Sequence, residues 1–246
     1  MEKKNPFEDI KACATYTQLW LLTASVVLLQ VAISTIVAMS EKRSGHNFST
    51  FESMVPVLLA TGLVSWAVLK NAGVSWRGAL AGWRRGAARD LRKAAGYFGG
   101  YALVLGCLFG VLYGAYSLFG PGVTDAMRPL SAKNGLENTQ LHGIAVFSRL
   151  RLLAVLFSAC VLAPVVEEVF FRRIVFVTLR LRKGFWFSAF WSSLLFALFH
   201  GLAAPVILPV GLYFCWVYER ERRLSVNILL HSLVNLSMIG LKVFIA

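Results

Sequence analysis

Three short patterns in the last third of the sequence carry residues that can move protons, at spacings that share a helix face. The first is Glu167-Glu168-Val169-Phe170-Phe171-Arg172, set inside a long apolar segment. An ionised acid at a helix centre in a bilayer costs roughly 2.5–3.5 kcal/mol on insertion scales, so an adjacent pair there points to function. Adjacent side chains diverge by about 100° around an α-helix, which gives the two acids different surroundings. Glu168 and Arg172 stand at i and i+4, where side chains meet, and are expected to pair. Glu167 then points elsewhere and is available as a base. The bland alternative is a structural ion pair, with Arg173 reaching back to the membrane interface.

The second pattern is Phe196-Ala197-Leu198-Phe199-His200. A lone histidine in an apolar helix is usually a packing residue, but depth argues otherwise here. The midpoint between Glu167 and His200 is the basic turn Arg180-Leu181-Arg182-Lys183-Gly184. Two antiparallel helices joined at that turn bring Glu167 and His200 to one level, each about 24 Å from the turn. A carboxylate and an imidazole facing one another can hold a single water. The third pattern, His231-Ser232-Leu233-Val234-Asn235, puts His231 and Asn235 on one face of the final apolar segment. Both can donate to a developing oxyanion, although Asn235 alone would serve equally as a helix–helix hydrogen bond. His46 and His142 fall in polar stretches and are expected to be solvated.

The elements that must hold these residues are membrane helices. The chain of 246 residues is 57% hydrophobic and only 15% charged. A hydrocarbon core of about 30 Å needs about 20 apolar residues per helix. Segments at about 16–39, 52–70, 95–119, 149–180, 184–203, 205–218 and 225–245 predict an all-α polytopic bundle of about seven transmembrane helices, or eight with a re-entrant segment. The first is read as an uncleaved span, because no small-residue cleavage site follows it. Pro205 and Pro209 suggest a tight or broken turn before the sixth.

The net charge of +13 does not imply nucleic acid, because the basic residues cluster between apolar spans. It fits contact with anionic lipid headgroups. Residues 71–94, with arginines at 77, 84, 85, 89 and 92, read as a basic amphipathic segment lying at the headgroups. Gly106, Gly110 and Gly114 make a small-residue face suited to close helix packing. Residues 120–146 read as the longest polar connection. Cys13, Cys107, Cys160 and Cys215 show no paired spacing and are expected to be buried free thiols. Most of the 25 basic residues fall on one side if the N-terminus is cytosolic, so the positive-inside rule predicts N-in and C-out, in a plasma (inner) membrane. Two regions are expected: membrane helices over 1–145 and a catalytic core over 146–246.

Taken together, the motifs EExxxR, FxxxH and HxxxN, in this order within membrane spans, resemble the CPBP intramembrane protease family, which includes CAAX prenyl proteases and bacteriocin-processing or immunity (Abi) proteins. The likeness covers about 160–240; the first 145 residues carry no signature. It implies an intramembrane endopeptidase whose site opens to the cytosolic side. Glu167 would activate water with help from His200, His231 and Asn235 would stabilise the oxyanion, and Glu168 with Arg172 would order the site. The metal-free reading is favoured, with Glu167, His200 and His231 as the alternative zinc ligands. The expected substrate is a membrane-anchored peptide or protein. The competing readings are an inactive peptide-binding immunity or scaffold protein of the same family, and a proton-coupled transporter, against which the lack of an internal repeat counts.

Overall fold

A computed structural model describes residues 5–10, 15–45 and 48–245, and every regular element among them is helical. The helices are α1 (Tyr16–Ser44), α2 (Thr50–Asn71), α3 (Trp76–Phe119), α4 (Pro121–Phe147), α5 (Arg149–Arg180), α6 (Phe185–Leu198), α7 (Ala204–Glu221) and α8 (Leu224–Ile245). Six of them (α1, α2, α3, α5, α7 with the turn before it, and α8) are long and apolar enough to cross a bilayer, and α6 is a shorter apolar helix. The chain is an integral membrane protein built as a polytopic helical bundle. Cys13 and His46 lie outside the described residues.

Local chemistry sets the helix starts. Thr15 and Gln18 close a capping box on α1, and Ser49 and Glu52 close another on α2. Glu52 serves twice, since its carboxylate also takes Arg151 of α5 side-on, at 3.0 and 2.8 Å. Helix α5 lies at the centre, with 44% of its span buried, whereas none of the corresponding window of α3 is buried. Leu19 and Val26 of α1, Leu69 of α2 and Phe196 of α6 pack on Phe170, Phe171, Ile174 and Leu179 of α5. Lipid tails are as apolar as leucine, so within the bilayer this packing is driven by shape fit and polar contacts rather than by escape from water.

The two ends of the bundle differ. At one end Phe7 is fully buried between Phe176 and Tyr218, with ring centroids 5.9 and 5.3 Å away. Asn5 donates to the Arg180 carbonyl (2.7 Å), Asp9 pairs with Arg222, and Arg180 grips Glu219 at 3.0 and 2.9 Å. Asp90 takes Arg223 side-on at 2.8 and 2.6 Å, and Glu221 meets Lys93 and Tyr97. The basic loops therefore gather here. The opposite end is held by Glu52–Arg151, by the Thr50 amide donating to Gln140 (3.3 Å) and by Lys242–Glu137 (2.6 Å).

Several expectations are corrected. Residues 121–147 are a helix, not a loop. Pro121 occupies its first turn, and the pairs Asp125–Arg128 and Lys133–Glu137 support it at i+3 and i+4. This helix is too polar to count as a span, and its C-terminal part packs at the Arg151 end of the bundle, where Leu141 and Ile144 meet Val155. The basic stretch before Tyr97 is continuous with the span that follows it. It is the first part of the 44-residue α3, whose contour of about 66 Å is over twice the bilayer core. Gly106, Gly110 and Gly114 have no neighbour within 4 Å of an added Cβ, so they make no helix contact among the described residues. Close approach occurs instead at Gly211, where an added Cβ would lie 2.9 Å from the Ser193 side chain and 3.2 Å from its Cα. Cys107 is exposed rather than buried, Cys160 is half-buried and Cys215 is buried. Pro205 opens α7 and Pro209 lies inside it, with the turn itself at 199–203.

Candidate active site

Helix α5 is not regular where it carries the acids. Two π-helical stretches, Ser158–Leu162 and Glu168–Phe176, flank the α-helical turn Ala163–Glu167. Pro164 explains the first: it has no N–H to give to the Cys160 carbonyl, and a wider turn relieves the ring's clash with that oxygen. The π turn frees the Ala159 carbonyl for another donor, and Asn235 Nδ2 supplies it at 2.7 Å.

Glu168 is fully buried and its oxygens are taken from several sides. Oε1 accepts from His231 Nδ1–H at 3.1 Å. Oε2 lies 3.2 Å from Arg172 Nε and accepts from Asn227 Nδ2 at 3.3 Å. Asn227, also fully buried, ties the group down by donating to the Phe214 carbonyl at 2.9 Å. The Arg172 guanidinium lies over the rings of Phe196 (4.8 Å) and Phe214 (5.7 Å), so its charge is held by one carboxylate and two aromatic faces. The pairing of Arg172 with Glu168 offsets part of the cost of burying both charges, while the guanidinium nitrogens make no hydrogen bond among the described residues.

Glu167 has a different setting. Its side chain keeps 18% exposure, and His231 Nε2 lies 3.7 Å from its Oε2. His200 ends α6, where Gly201 turns the chain with a φ of +60°, a conformation that glycine adopts without strain. The His200 Nδ1–H donates to the Phe196 carbonyl at 2.8 Å, because a carbonyl can only accept. Nε2 is thus left as the nitrogen that is free for chemistry. Glu167 and His200 line one cavity of about 710 Å³, together with Met54 and Thr61 of α2, Leu130 and Lys133 of α4 and Lys242 of α8.

The structure thus brings Glu167, Glu168, Arg172, His200 and His231 into one region, with the two acids in separate surroundings. It differs from expectation at the oxyanion pair. Asn235 gives one amide hydrogen to Ala159, and His231 stands between two carboxylates, so neither faces the cavity as a free donor. Sequence reading missed Asn227, although it stands one turn before His231 on the same face of an apolar helix. His142 is exposed, as expected of a solvated residue. Among the described residues no three His, Cys, Asp or Glu side chains are grouped to hold a metal ion.

Depth and direction also separate. Along α8, His231 is about 12 Å from Arg223 and about 21 Å from Ile245, so the acids lie nearer the basic end. The cavity, however, runs away from that end, towards Thr50, Lys133, Glu137 and Lys242.

A protein-family model described as Type II CAAX prenyl endopeptidase Rce1-like matches residues 149–237, a stretch that contains all three motifs. The protein named "Putative membrane peptidase YdiL" of Bacillus subtilis (strain 168) is 27% identical over 121 residues. That match spans 48% of this chain and about half of the relative, 49% of its length. No solved structure gives a significant match. The likeness read from the motifs and the family model agree over this stretch.

Proposed function

We propose that this Rce1-like domain makes the chain an intramembrane endopeptidase, with Glu167 as base. The observation that carries the reading is the division between two adjacent acids. Glu168 is held by His231, Arg172 and Asn227, while Glu167 lines a cavity with His200 and has no comparable partner.

In this reading Glu167 takes a proton from water as the water oxygen adds to the peptide carbonyl carbon. His200 Nε2, the ring nitrogen left free by the Phe196 carbonyl, orients that water. The oxyanion role that the resemblance implies for His231 and Asn235 is not carried by this arrangement, in which Glu168 engages His231 and the Ala159 carbonyl engages Asn235. When the C–N bond breaks, the proton held by Glu167 passes to the leaving nitrogen. The residues accomplish this without a metal ion. Stoichiometric zinc in purified protein, lost in His200→Ala, is the result that would count against that.

The substrate is proposed to be a membrane-anchored peptide or protein. Helix α6 covers only about 21 Å, less than the bilayer core. Beside it an apolar groove lined by Val27 and Val31 of α1 and Leu195 and Leu198 of α6 shares Gln30 and Phe199 with the catalytic cavity. An apolar anchor can lie there while the adjoining peptide reaches Glu167. Glu167→Gln and His200→Ala are expected to abolish cleavage of a tethered reporter peptide, by at least about a hundredfold for a lost proton-transfer group, with helicity and detergent-extracted yield unchanged. Full cleavage by both variants would refute this assignment of the base and its partner, and no cleavage by the unaltered protein would favour a binding protein.

A further inference from the structure

We propose that Lys133 and Lys242 form a subsite for a carboxylate of the substrate, at the end of the cavity remote from Glu167. This rests on the peptidase reading of the cavity. Both lysines line the same cavity as Glu167 and His200, and they reach it from different helices, α4 and α8. They converge on one acid: Lys242 Nζ is 2.6 Å from Glu137 Oε2, and Lys133 Nζ is 3.8 Å from Oε1. Two ammonium groups sharing one carboxylate leave a net positive charge and unused donors. Beside them the side-chain oxygen of Asn138 is buried without a partner and is ready for a peptide N–H. Glu41, an acid of the adjoining groove that Lys133 also lines, accepts from the Phe48 amide at 3.0 Å. A carboxylate at this rim would make charge-assisted hydrogen bonds, which are shorter and stronger than neutral ones.

The spacing gives the subsite a position. Lys242 follows His231 by eleven residues on α8, an axial rise of about 16 Å. Helical side chains lean towards the N-terminus, here towards His231, so the distance to span is somewhat shorter. An extended peptide advances about 3.3 Å per residue, which places the carboxylate about three to five residues from the bond cleaved. Either an acidic side chain or the peptide's own terminal carboxylate supplies that chemistry.

The test uses fluorescent peptides with a common apolar anchor and the full-length Glu167→Gln protein in nanodiscs, with affinity measured by anisotropy. One peptide is C-terminally amidated and carries Glu at the fourth residue beyond the reporter's cleavage point. A second is amidated with Gln there, a third is amidated with Lys, and a fourth has Gln and a free terminus. The amidated Glu peptide or the free-terminus peptide is expected to bind about tenfold tighter than the amidated Gln peptide; which of them does so identifies the source of the carboxylate. Lys133→Glu should reverse the order in favour of the Lys peptide, and Lys133→Gln, which leaves Lys242–Glu137 in place, should flatten it. Equal affinities for all four peptides, or an order unchanged in Lys133→Glu, would overturn the subsite. Charge-dependent binding with no cleavage by the unaltered protein would strike the peptidase reading and leave the subsite standing.

Discussion

Two neighbouring glutamates hold opposite positions in this site because a helix turns by about 100° between them. Glu168 faces inward and meets Arg172, Asn227 and His231; Glu167 faces the cavity. The Glu168–Arg172 contact was legible because i and i+4 is local geometry. Asn235's bond to Ala159 was not, since it depends on the register between α8 and a π turn that Pro164 induces. Asn227 was legible in principle by the same one-turn rule, one step earlier on its helix. Its role can be separated from mere support. Asn227→Ala removes a donor from a buried carboxylate, which should cost about 1–3 kcal/mol. The thermal midpoint should fall, and kcat on a reporter peptide should fall about tenfold with KM nearly unchanged, because Glu168 then holds His231 less firmly. A lower midpoint with unchanged kcat would reduce Asn227 to a residue of the fold.

At the scale of elements, hydropathy located every apolar segment, and polarity misled at α4, a helix too polar to count as a span. The Ser-, Asn-, Gly- and Pro-bearing stretch that forms α4 reads as a loop, and what makes it a helix is the far face of the bundle, where Leu141 and Ile144 pack with Val155. Glycine spacing misled in the other direction: a four-residue period on α3 faces no helix, whereas the single Gly211 is where α7 meets α6. The contrast is measurable. Gly211→Ala drives a Cβ to 2.9 Å from Ser193 and should destabilise by about 1–3 kcal/mol, as overpacking does. Gly110→Ala meets open space and, in a helix interior, should leave the thermal midpoint level or raise it. Equal losses from both would mean that the α3 face is packed in the membrane by something outside this chain.

For the molecule as a whole, the recognisable motifs occupy 149–237, yet half of the cavity wall comes from α1, α2 and α4, where no motif was seen. Walls need only apolar shape, which many sequences supply, so they leave no fixed pattern. The orientation expected from the basic loops needs one change in its count: Arg172 is buried in the site and is not a loop charge. Cysteines placed at residues 88 and 135 in a cysteine-free background are expected to react with an impermeant maleimide from the cytosolic and the outer side respectively. Labelling of 88 from outside would invert the assignment. The seal at the basic end carries a consequence in time. Phe7 is made more than two hundred residues before Tyr218, the ring that covers it. At about 5–20 residues per second of synthesis, that face waits about 10–40 s for its partner. Helices α1 to α3 are therefore made well before this end of the protein can close, because closure waits for the segment that carries Tyr218.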